Sequence, residues 1–382
     1  MNEPKHECRF RGARGGGSPH GKPARRGIAL VVAACAALFA CARDDAQRDA
    51  AAQDERVSWK MASTFAGTLP VLGTGGLEFA RRVGVASRGR IEIKYFDPGK
   101  LVPPLEIFDA VSKGAVDAGW SVSGYWVGKI PAAAFFTSVP FGPGATEFLT
   151  WIYRGGGLEL WRELYAPSNL FVIPCGMVPP DGSGWFREPI ASLAQLQGKK
   201  IRYFGLGGET MQKLGASVQL LAGGDIYPAL ERGVLDALEF AQPAIDKELG
   251  FYRIVKHYYF PGWHQADSIL ELIVNMDRWK ALDAAGQMLI EMACKDSLVN
   301  MSAYGESIQT PALEFFKNNG VTLHEWSPEE LRGFHAAYEQ VLAENAAKDP
   351  GFQRVYESYR TFRASYREWS RLSRVPAGAM DR

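Results

Sequence analysis

The sequence contains the same short pattern twice, and this repeat sets the strongest limit on the fold. Residues 107–118 read IFDAVSKGAVDA and residues 226–237 read IYPALERGVLDA, an offset of 119 positions (226 − 107). Each copy has helical spacing, then a glycine that ends the helix (Gly114 or Gly233), then a short run that predicts a buried strand. Two such units predict two similarly built α/β lobes with a ligand crevice at their strand ends. The alternative is a chance likeness between two common units.

Composition and charge exclude a nucleic-acid partner. The 382 residues are 47% hydrophobic and 22% charged, which is an ordinary globular composition and long enough for two lobes. The first 41 residues hold seven basic and two acidic residues, which leaves 36 basic and 40 acidic residues, a net charge of −4, in the remainder. No basic face or nucleic-acid-binding motif is therefore expected.

An apolar run near the N-terminus predicts export. Residues 27–40 read GIALVVAACAALFA and follow a pair of arginines. The run is too short to span a membrane comfortably and is typical of a secretory signal peptide, which we place at residues 1–41. Cys41 is then a candidate lipid-attachment site, with Cys35 or an ordinary cleavage as alternatives. Residues 42–56 are small, polar and charged, which predicts a flexible tether.

Two cysteines, Cys175 and Cys294, follow the leader. Two cysteines in an exported chain of this size do not make a disulfide framework, so we expect two buried apolar side chains. The sequence has no CxxC, HExxH or clustered Cys/His pattern, so zinc and iron sites are not expected.

The motifs of common enzymes are missing from the sequence. There is no GxSxG elbow and no P-loop. The glycines at 205–208 lack the third glycine of a dinucleotide fingerprint, because Thr210 stands in its place. An exported hydrolase would need a nucleophile–base pair, and the sequence does not show one.

Three charged residues in apolar or turn settings predict a binding site instead. Arg202 lies within an apolar strand run, where a guanidinium needs an anionic partner, either a ligand or a protein carboxylate. Glu239 follows the strand of the second repeat between apolar neighbours, and Asp181 lies in a Gly/Pro-rich turn. Together they predict a cleft with one cationic and two anionic side chains, suited to a small monocarboxylate and a hard metal ion.

The C-terminal segment predicts a long amphipathic helix. Its apolar residues recur at spacings of three and four, at Phe352, Val355, Tyr356, Tyr359, Phe362, Tyr366, Trp369 and Leu372. Such a stripe is either packed on its own body or forms a dimer contact.

Several short stretches resemble one known family in both order and spacing. They are 101–104 (LVPP), 107–120, 125–129 (YWVGK), 139–142 (VPFG), 184–186 (GWF), 200–202 (KIR), 223–239 and 259–264 (YFPGWH). Over residues 57–375 the chain resembles the substrate-binding proteins of tripartite ATP-independent periplasmic (TRAP) transporters, in the branch that binds 2-oxo and 2-hydroxy monocarboxylates with a metal ion.

The resemblance implies roles for individual residues. An arginine at the position of Arg202 binds the ligand carboxylate in this family, and a glutamate at the position of Glu239 binds both metal and ligand. The main-chain oxygen of Phe240 is the second metal ligand, and the third falls on Asp181, where relatives usually have Gln. The additional carboxylate predicts calcium rather than sodium as the preferred ion. Four aromatic residues are expected to line the pocket, with core packing as the alternative for each: Phe65, Trp120, Tyr125 and Trp263.

The implied fold class is α/β: a two-lobed periplasmic binding protein with hinge crossovers, a ligand cleft between the lobes and a long C-terminal helix. The expected divisions are 57–179 for lobe 1, 180–267 for lobe 2, 268–310 for a return to lobe 1, 311–350 for lobe 2 and the hinge, and 351–382 for the C-terminal dimerisation helix. Relatives with such an aromatic terminal helix dimerise by exchanging it, which implies a homodimer through residues 352–372.

The implied function is that of a periplasmic receptor and not an enzyme. It would close over a small organic acid and deliver it to the TRAP membrane permease, which is driven by a sodium gradient in this family. A sensor that signals to a membrane kinase, or an exported hydrolase, are the alternatives.

Overall fold

A computed structural model describes residues 56–374, and within this part the chain forms eleven strands and twelve α-helices. The strands are β1 (Val57–Ser63), β2 (Ile91–Phe96), β3 (Ala118–Ser121), β4 (Leu170–Val178), β5 (Gly184–Phe186), β6 (Lys200–Arg202), β7 (Ser217–Gln219), β8 (Ala237–Leu238), β9 (His257–Phe260), β10 (Ser268–Asn275) and β11 (Thr322–Glu325). The helices are α1 (Leu72–Ala86), α2 (Ile107–Ser112), α3 (Ala145–Arg154), α4 (Gly157–Tyr165), α5 (Gly205–Lys213), α6 (Gly223–Glu231), α7 (Pro243–Leu249), α8 (Met276–Lys280), α9 (Ala284–Ser307), α10 (Gln309–Asn318), α11 (Pro328–Lys348) and α12 (Pro350–Ser373). The predicted leader and most of the tether lie outside the described residues.

The strands form two mixed sheets, one in each lobe. The first has the order β2-β1-β3-β10-β4, with β10 antiparallel to both of its neighbours. The second has the order β11-β9-β5-β8-β6-β7, with β5 antiparallel to both of its neighbours. Helices pack on both sheets, so the predicted α/β class with two lobes and a long C-terminal helix is confirmed. The predicted domain boundaries stay a prediction.

The two copies of the sequence repeat fold in the same way, one in each lobe. Gly114 and Gly233 end their helices at φ of 72° and 70°, a left-handed conformation that favours glycine. The aspartate three residues after each glycine accepts a hydrogen bond from a backbone N–H of the neighbouring strand. The N–H of Lys60 donates to Asp117 in lobe 1 and the N–H of Lys200 donates to Asp236 in lobe 2, both at 2.8 Å. The repeat in the sequence is therefore also a repeat in the structure.

The expectation for the cysteines is wrong in one respect. Cys175 on β4 and Cys294 on α9 are both buried, as predicted, but they form a disulfide with a Cα–Cα distance of 4.1 Å. The bridge joins positions 119 residues apart, and α9 lies across β4 in the tertiary structure. No local pattern predicts such a pairing, because it depends on how a helix docks onto a distant strand.

The chain crosses between the two sheets three times within the described residues, and two of these crossovers lie side by side. Residues 179–183 lead from β4 to β5, and residues 261–267 lead back from β9 to β10. The N–H of Asp181 donates to the carbonyl of Gln265 at 3.3 Å, which ties the two crossovers together. Paired crossovers of this kind are the usual hinge of a two-lobed protein.

The C-terminal helix α12 divides into a packed half and an exposed half. Phe352, Val355 and Tyr359 are buried against lobe 1, where Phe135 lies 4.8 Å from Phe352 between ring centroids. Trp369, by contrast, is 63% exposed. The near half of the stripe thus packs on its own body, and the far half presents an apolar surface.

No helix within residues 56–374 is long and apolar enough to cross a membrane.

Candidate functional site

A cavity of about 30 Å³ lies between the two lobes, beside the crossovers. Its walls come from lobe 1, lobe 2 and both crossover segments. They consist of Phe65, Leu72, Val122, Tyr125, Thr137, Val178, Asp181, Arg202, Phe204, Phe240, Ala241, Gln265, Ser268 and Leu270. Most of this lining is apolar, and one cation and one carboxylate face it, so a small anion with a short apolar body suits its chemistry.

Arg202 is the cation of this cavity. It ends β6 and is only 1% exposed. Its Nε donates to the carbonyl of Leu221 at 3.3 Å, and its Nη1 donates to both the carbonyl and Oε2 of Glu239, the latter at 3.0 Å. No hydrogen bond from its Nη2 to a described residue meets ordinary geometry, although the Tyr125 hydroxyl interacts with the guanidinium. The sequence left a ligand or a protein carboxylate open as the partner, and the structure gives Arg202 a carboxylate while keeping it on the cavity wall.

Glu239 follows β8 directly and is fully buried. Its backbone N–H donates to the carbonyl of Arg202 at 2.9 Å, which fixes the two residues beside each other. Oε2 accepts from Arg202, whereas Oε1 has no hydrogen-bond partner among residues 56–374. Nε2 of His264 is 3.2 Å from Oε1 without the geometry of a hydrogen bond.

Asp181 is the second carboxylate and comes from the first crossover. It is 4% exposed, and its Oδ2 accepts from Nε2 of Gln265. Its Oδ1 has no partner in the described part of the chain. Burial, with the nearby charges of Glu239 and Asp246 adding to it, raises the pKa of Asp181 well above its usual range.

These carboxylates fit a hard cation. Asp181 and Glu239 each retain a buried, unpartnered oxygen, which costs free energy unless something positive or donating meets it. Oxygen atoms are the ligands that calcium and sodium take. The backbone carbonyl of Phe240, next to Glu239 in the chain, stays a predicted third, neutral ligand. Residues 56–374 hold no group of three or more Cys, His, Asp or Glu side chains that could hold a metal ion, so a cation here would need backbone or ligand oxygens besides these two carboxylates.

Aromatic side chains from both lobes close over the cavity. Tyr125 of lobe 1 meets Phe204 of lobe 2 edge to face, with 5.6 Å between ring centroids. Phe65 lies 6.3 Å from Tyr125, and the ring of Phe240 lies 5.0 Å from the guanidinium of Arg202. Burial raises the pKa of the Tyr125 hydroxyl, so this group is a neutral hydrogen-bonding partner at ordinary pH.

Two of the predicted lining residues lie elsewhere. Trp120 is fully buried in the lobe 1 core, where it stacks on Phe79 and donates from Nε1 to the carbonyl of Leu72 at 2.8 Å. Trp263 stacks on Phe334 at 4.4 Å in the lobe 2 core. Core packing, the alternative that the sequence left open for each, describes both.

Polar residues in the second crossover and at the start of β10 were not predicted from the sequence. Gln265 and Ser268 line the cavity, as does Thr137 of lobe 1. Ser268 is 5% exposed, and its Oγ has no partner in the part of the chain that the structure describes. The sequence signal that could have indicated Gln265 was the family-like stretch 259–264, which ends immediately before it.

The fold and the cavity define a class: a two-lobed solute receptor that encloses a small ligand between its lobes. Residues 62–349 match the family model described as "Bacterial extracellular solute-binding protein, family 7". The chain belongs to this family. Its members are the substrate receptors of TRAP transporters, so the protein is an extracytoplasmic receptor and not an enzyme.

Individual relatives support the same class. The chain is 35% identical, over 91% of its length and 95% of the relative's, to the monocarboxylate 2-oxoacid-binding periplasmic protein of Nostoc sp.. It is 34% identical to a TRAP transporter solute-binding protein of Bordetella bronchiseptica, with a TM-score of 0.82 over 84% of this chain and 95% of that one. That structure is a dimer with copurified calcium and picolinate in its active site.

A third relative carries a different ion. The TRAP periplasmic solute-binding protein of Pseudoalteromonas atlantica, with bound sodium and pyruvate, is 32% identical, with a TM-score of 0.79 over 83% of this chain and 97% of that one. Relatives of this chain therefore bind small carboxylates together with either ion.

Proposed function

We propose that this receptor binds a small 2-oxo or 2-hydroxy monocarboxylate, gripped by Arg202 and by a cation held between Asp181, Glu239 and the carbonyl of Phe240. The observation that carries this proposal is a pair of buried carboxylate oxygens without hydrogen-bond partners, on Asp181 and Glu239, where Asp181 lines the cavity with the buried guanidinium of Arg202 and Glu239 pairs with that guanidinium. Nη2 of Arg202 is the donor available for a ligand carboxylate. The 2-oxoacid, pyruvate and picolinate ligands of the relatives support this class of ligand.

The size and polarity of the cavity support a short ligand. Beyond the charged end, the walls are formed by Leu72, Val122, Val178 and Leu270, and they offer apolar contact. A second carboxylate on the ligand would meet these side chains without a partner, at a cost of several kcal/mol. A monocarboxylate with a small aliphatic or aromatic body is therefore favoured over a dicarboxylate.

We propose calcium as the preferred ion. Two carboxylates carry a formal charge of −2, of which Arg202 compensates one. A divalent cation then leaves the site with a net positive charge for an anionic ligand, whereas sodium leaves it neutral.

A thermal-shift titration tests the ligand and the ion together. The chelator-treated protein is mixed with pyruvate, lactate or succinate, each with calcium or with sodium alone. Pyruvate or lactate with calcium is expected to raise the melting temperature, because a ligand that binds only the folded state stabilises it, and succinate is expected to have little effect. Arg202→Ala should abolish the shift, while Arg81→Ala on the exposed face of α1 should retain it. A full shift in the Arg202 variant would contradict the proposed grip.

The partner of the closed receptor is proposed to be the TRAP membrane permease. A sensor that signals to a membrane kinase would share the closing cleft but not the transport. Uptake of a labelled 2-oxo acid by cells with and without this receptor separates the two, since a sensor would leave uptake unchanged.

We also propose a homodimer through residues 352–372, with the exposed half of α12 as the contact. Trp369 and Leu372 are each 63% exposed, and the Bordetella relative is a dimer. Replacing both residues with serine should convert the dimer to a monomer in light scattering without lowering the melting temperature of each protomer. An unchanged mass would show that α12 is not the interface.

Export and anchoring complete the proposal. The buried disulfide supports maturation in an oxidising compartment, since such bridges are rare in the cytoplasm. We propose cleavage of the leader before Cys41 and lipid attachment to that cysteine. The mass of the mature N-terminal peptide tests this, because an unmodified terminus would exclude an anchor.

A further inference from the structure

One residue beside the proposed cation site has no assigned role. Gln265 lies in the second crossover, is 3% exposed and lines the cavity. Its carbonyl accepts from the N–H of Asp181, and its own N–H donates to the carbonyl of Gly262 at 3.0 Å. A Cβ on Gly262 would collide with the carbonyl oxygen of Asp181, so the two crossovers touch backbone to backbone here. The backbone of Gln265 is therefore fixed against that of Asp181.

The side chain of Gln265 bridges two groups on different elements. Its Nε2 donates to Oδ2 of Asp181, and its Oε1 accepts from the hydroxyl of Ser138 at 3.1 Å. This amide orientation suits a bound cation, because the carboxylate that binds a cation is ionised, only accepts hydrogen bonds and so requires the NH₂ end. The Ser138 hydroxyl, as a donor to the other end, holds the amide in this orientation.

The bridge determines which oxygen of Asp181 is free. Within residues 56–374, Gln265 is the one donor to the Asp181 side chain, and it binds Oδ2. Oδ1 is left unpartnered, and Asp181 itself faces the cavity. Without this donor the carboxylate could turn about its Cβ–Cγ bond, and neither oxygen would be held for an ion. Mutation of a residue that hydrogen-bonds a metal ligand typically lowers the metal affinity by about 10- to 100-fold.

We propose that Gln265 is a positioning residue that sets the Asp181 carboxylate for the cation, and that Ser138 of lobe 1 holds Gln265 in turn. This inference rests on the proposed function, because it requires Asp181 to be a cation ligand. The Ser138–Gln265–Asp181 chain runs from a lobe 1 loop through one crossover to the other. The cation ligand is thereby connected to lobe 1 through hydrogen bonds.

A double-mutant cycle with calcium alone tests the proposal. Calcium affinity is measured by isothermal titration for the wild type, Asp181→Asn, Gln265→Leu and the double variant, without any organic acid. We expect Asp181→Asn to weaken calcium binding by about 30-fold or more and Gln265→Leu by about 10-fold. In the Asp181→Asn background, Gln265→Leu should add less than about 2-fold, because its effect passes through the carboxylate.

Matched variants separate positioning from general damage. Gln287→Leu removes an amide that binds the carbonyl of Trp279, outside the cavity lining, and it should leave calcium affinity unchanged. Ser138→Ala should weaken calcium binding by about 2- to 3-fold, a smaller change that still tests the chain of hydrogen bonds if Gln265→Leu does not fold. Sodium affinity is expected to fall less than calcium affinity in each cavity variant, since a monovalent ion depends less on two fixed carboxylates.

Each contrary result has a distinct meaning. A normal affinity in Gln265→Leu with a weakened Asp181→Asn would overturn the positioning role and leave the proposed cation site intact. Equal losses from Gln265→Leu in both backgrounds would show a merely structural effect and also overturn it. An unchanged affinity in Asp181→Asn would remove the cation role of Asp181 and, with it, both proposals.

Discussion

The two copies of the helix–glycine–strand unit are alike in backbone and differ in the residues at the end of the strand. At the offset of 119 residues, Trp120 of lobe 1 corresponds to Glu239 of lobe 2, and both are fully buried. The indole packs into the lobe 1 core, whereas the carboxylate pairs with Arg202 at the cavity. Two residues further on, Val122 and Ala241 both line the cavity. The same unit therefore brings one apolar wall and one charged wall to a common crevice.

This difference shows where the chemistry of the fold is placed. The strand ends of both lobes meet at the cavity because the backbone repeats, which is a property of the scaffold. Lobe 2 supplies the guanidinium and one carboxylate, and the hinge supplies the second carboxylate. Lobe 1 supplies mostly apolar contact. Three experiments test this division of roles between the lobes.

The largest expected effect is on stability and concerns a buried carboxyl group on the strand next to β3 of the lobe 1 unit. Glu271 on β10 pairs with Ser121 of β3 and accepts from Nε1 of Trp126 at 2.5 Å and from the Tyr165 hydroxyl at 3.0 Å. Burial raises its pKa to about 8 from 4.5. The folded state thus holds a proton that the unfolded chain releases, so stability should fall as pH rises from about 4.5 to about 8, by up to about 5 kcal/mol.

The measurement is urea unfolding of the wild type and Glu271→Gln across this pH range. The amide keeps a neutral partner for both hydrogen bonds, so the variant should lose less stability at high pH, and the difference between the two proteins should grow with pH. Glu248→Gln on an exposed surface is the matched control. Ligand affinity should not change, because Glu271 does not line the cavity. Parallel pH curves for the two proteins would contradict the buried neutral carboxyl.

The second experiment replaces the equivalent residue in each unit and compares the effects on binding and stability. Glu239→Gln should raise the dissociation constant for the acid with calcium by about 100-fold, or about 3 kcal/mol, because it removes the charge that the ion and Arg202 share. Trp120→Phe should leave that constant within about 3-fold but lower the stability by about 1–2 kcal/mol, because the carbonyl of Leu72 loses its indole donor. Calorimetric binding and thermal unfolding of both variants give the comparison. A binding loss in the Trp120 variant equal to that of Glu239→Gln would show that lobe 1 takes part in the chemistry.

The smallest effect tests whether the two units are equivalent in backbone energy. Gly114→Ala and Gly233→Ala should each lower the stability by about 1 kcal/mol, because both positions have positive φ. The two losses should agree within about 0.5 kcal/mol, since the hydrogen bonds around each turn match. Gly224→Ala, in the first turn of α6 with open space around it, should be neutral or slightly stabilising in the same denaturant titrations. A loss confined to one glycine would mean that the units resemble each other in sequence but not in energy.

Elements with local signals could be predicted from the amino-acid sequence alone. The repeat predicted a helix, a glycine that ends it and a buried strand in each lobe, and all of these are present. Arg202, Glu239 and Asp181 were found because a charge among apolar neighbours or in a tight turn is costly without a purpose, and this can be recognised within a few residues. The structure brings these three together.

Contacts between residues far apart in the chain depend on the tertiary structure. The disulfide joins positions 119 apart, the contact of Gln265 with Asp181 spans 84 positions, and the burial of Trp120 and Trp263 away from the cavity depends on how helices and loops pack over their sheets. The same aromatic residue type serves a core or a pocket equally well, so its role is set by its neighbours in space. The local sequence shows that a charged residue lies among apolar neighbours, where its burial is costly. Packing between distant elements then determines which groups that charge contacts.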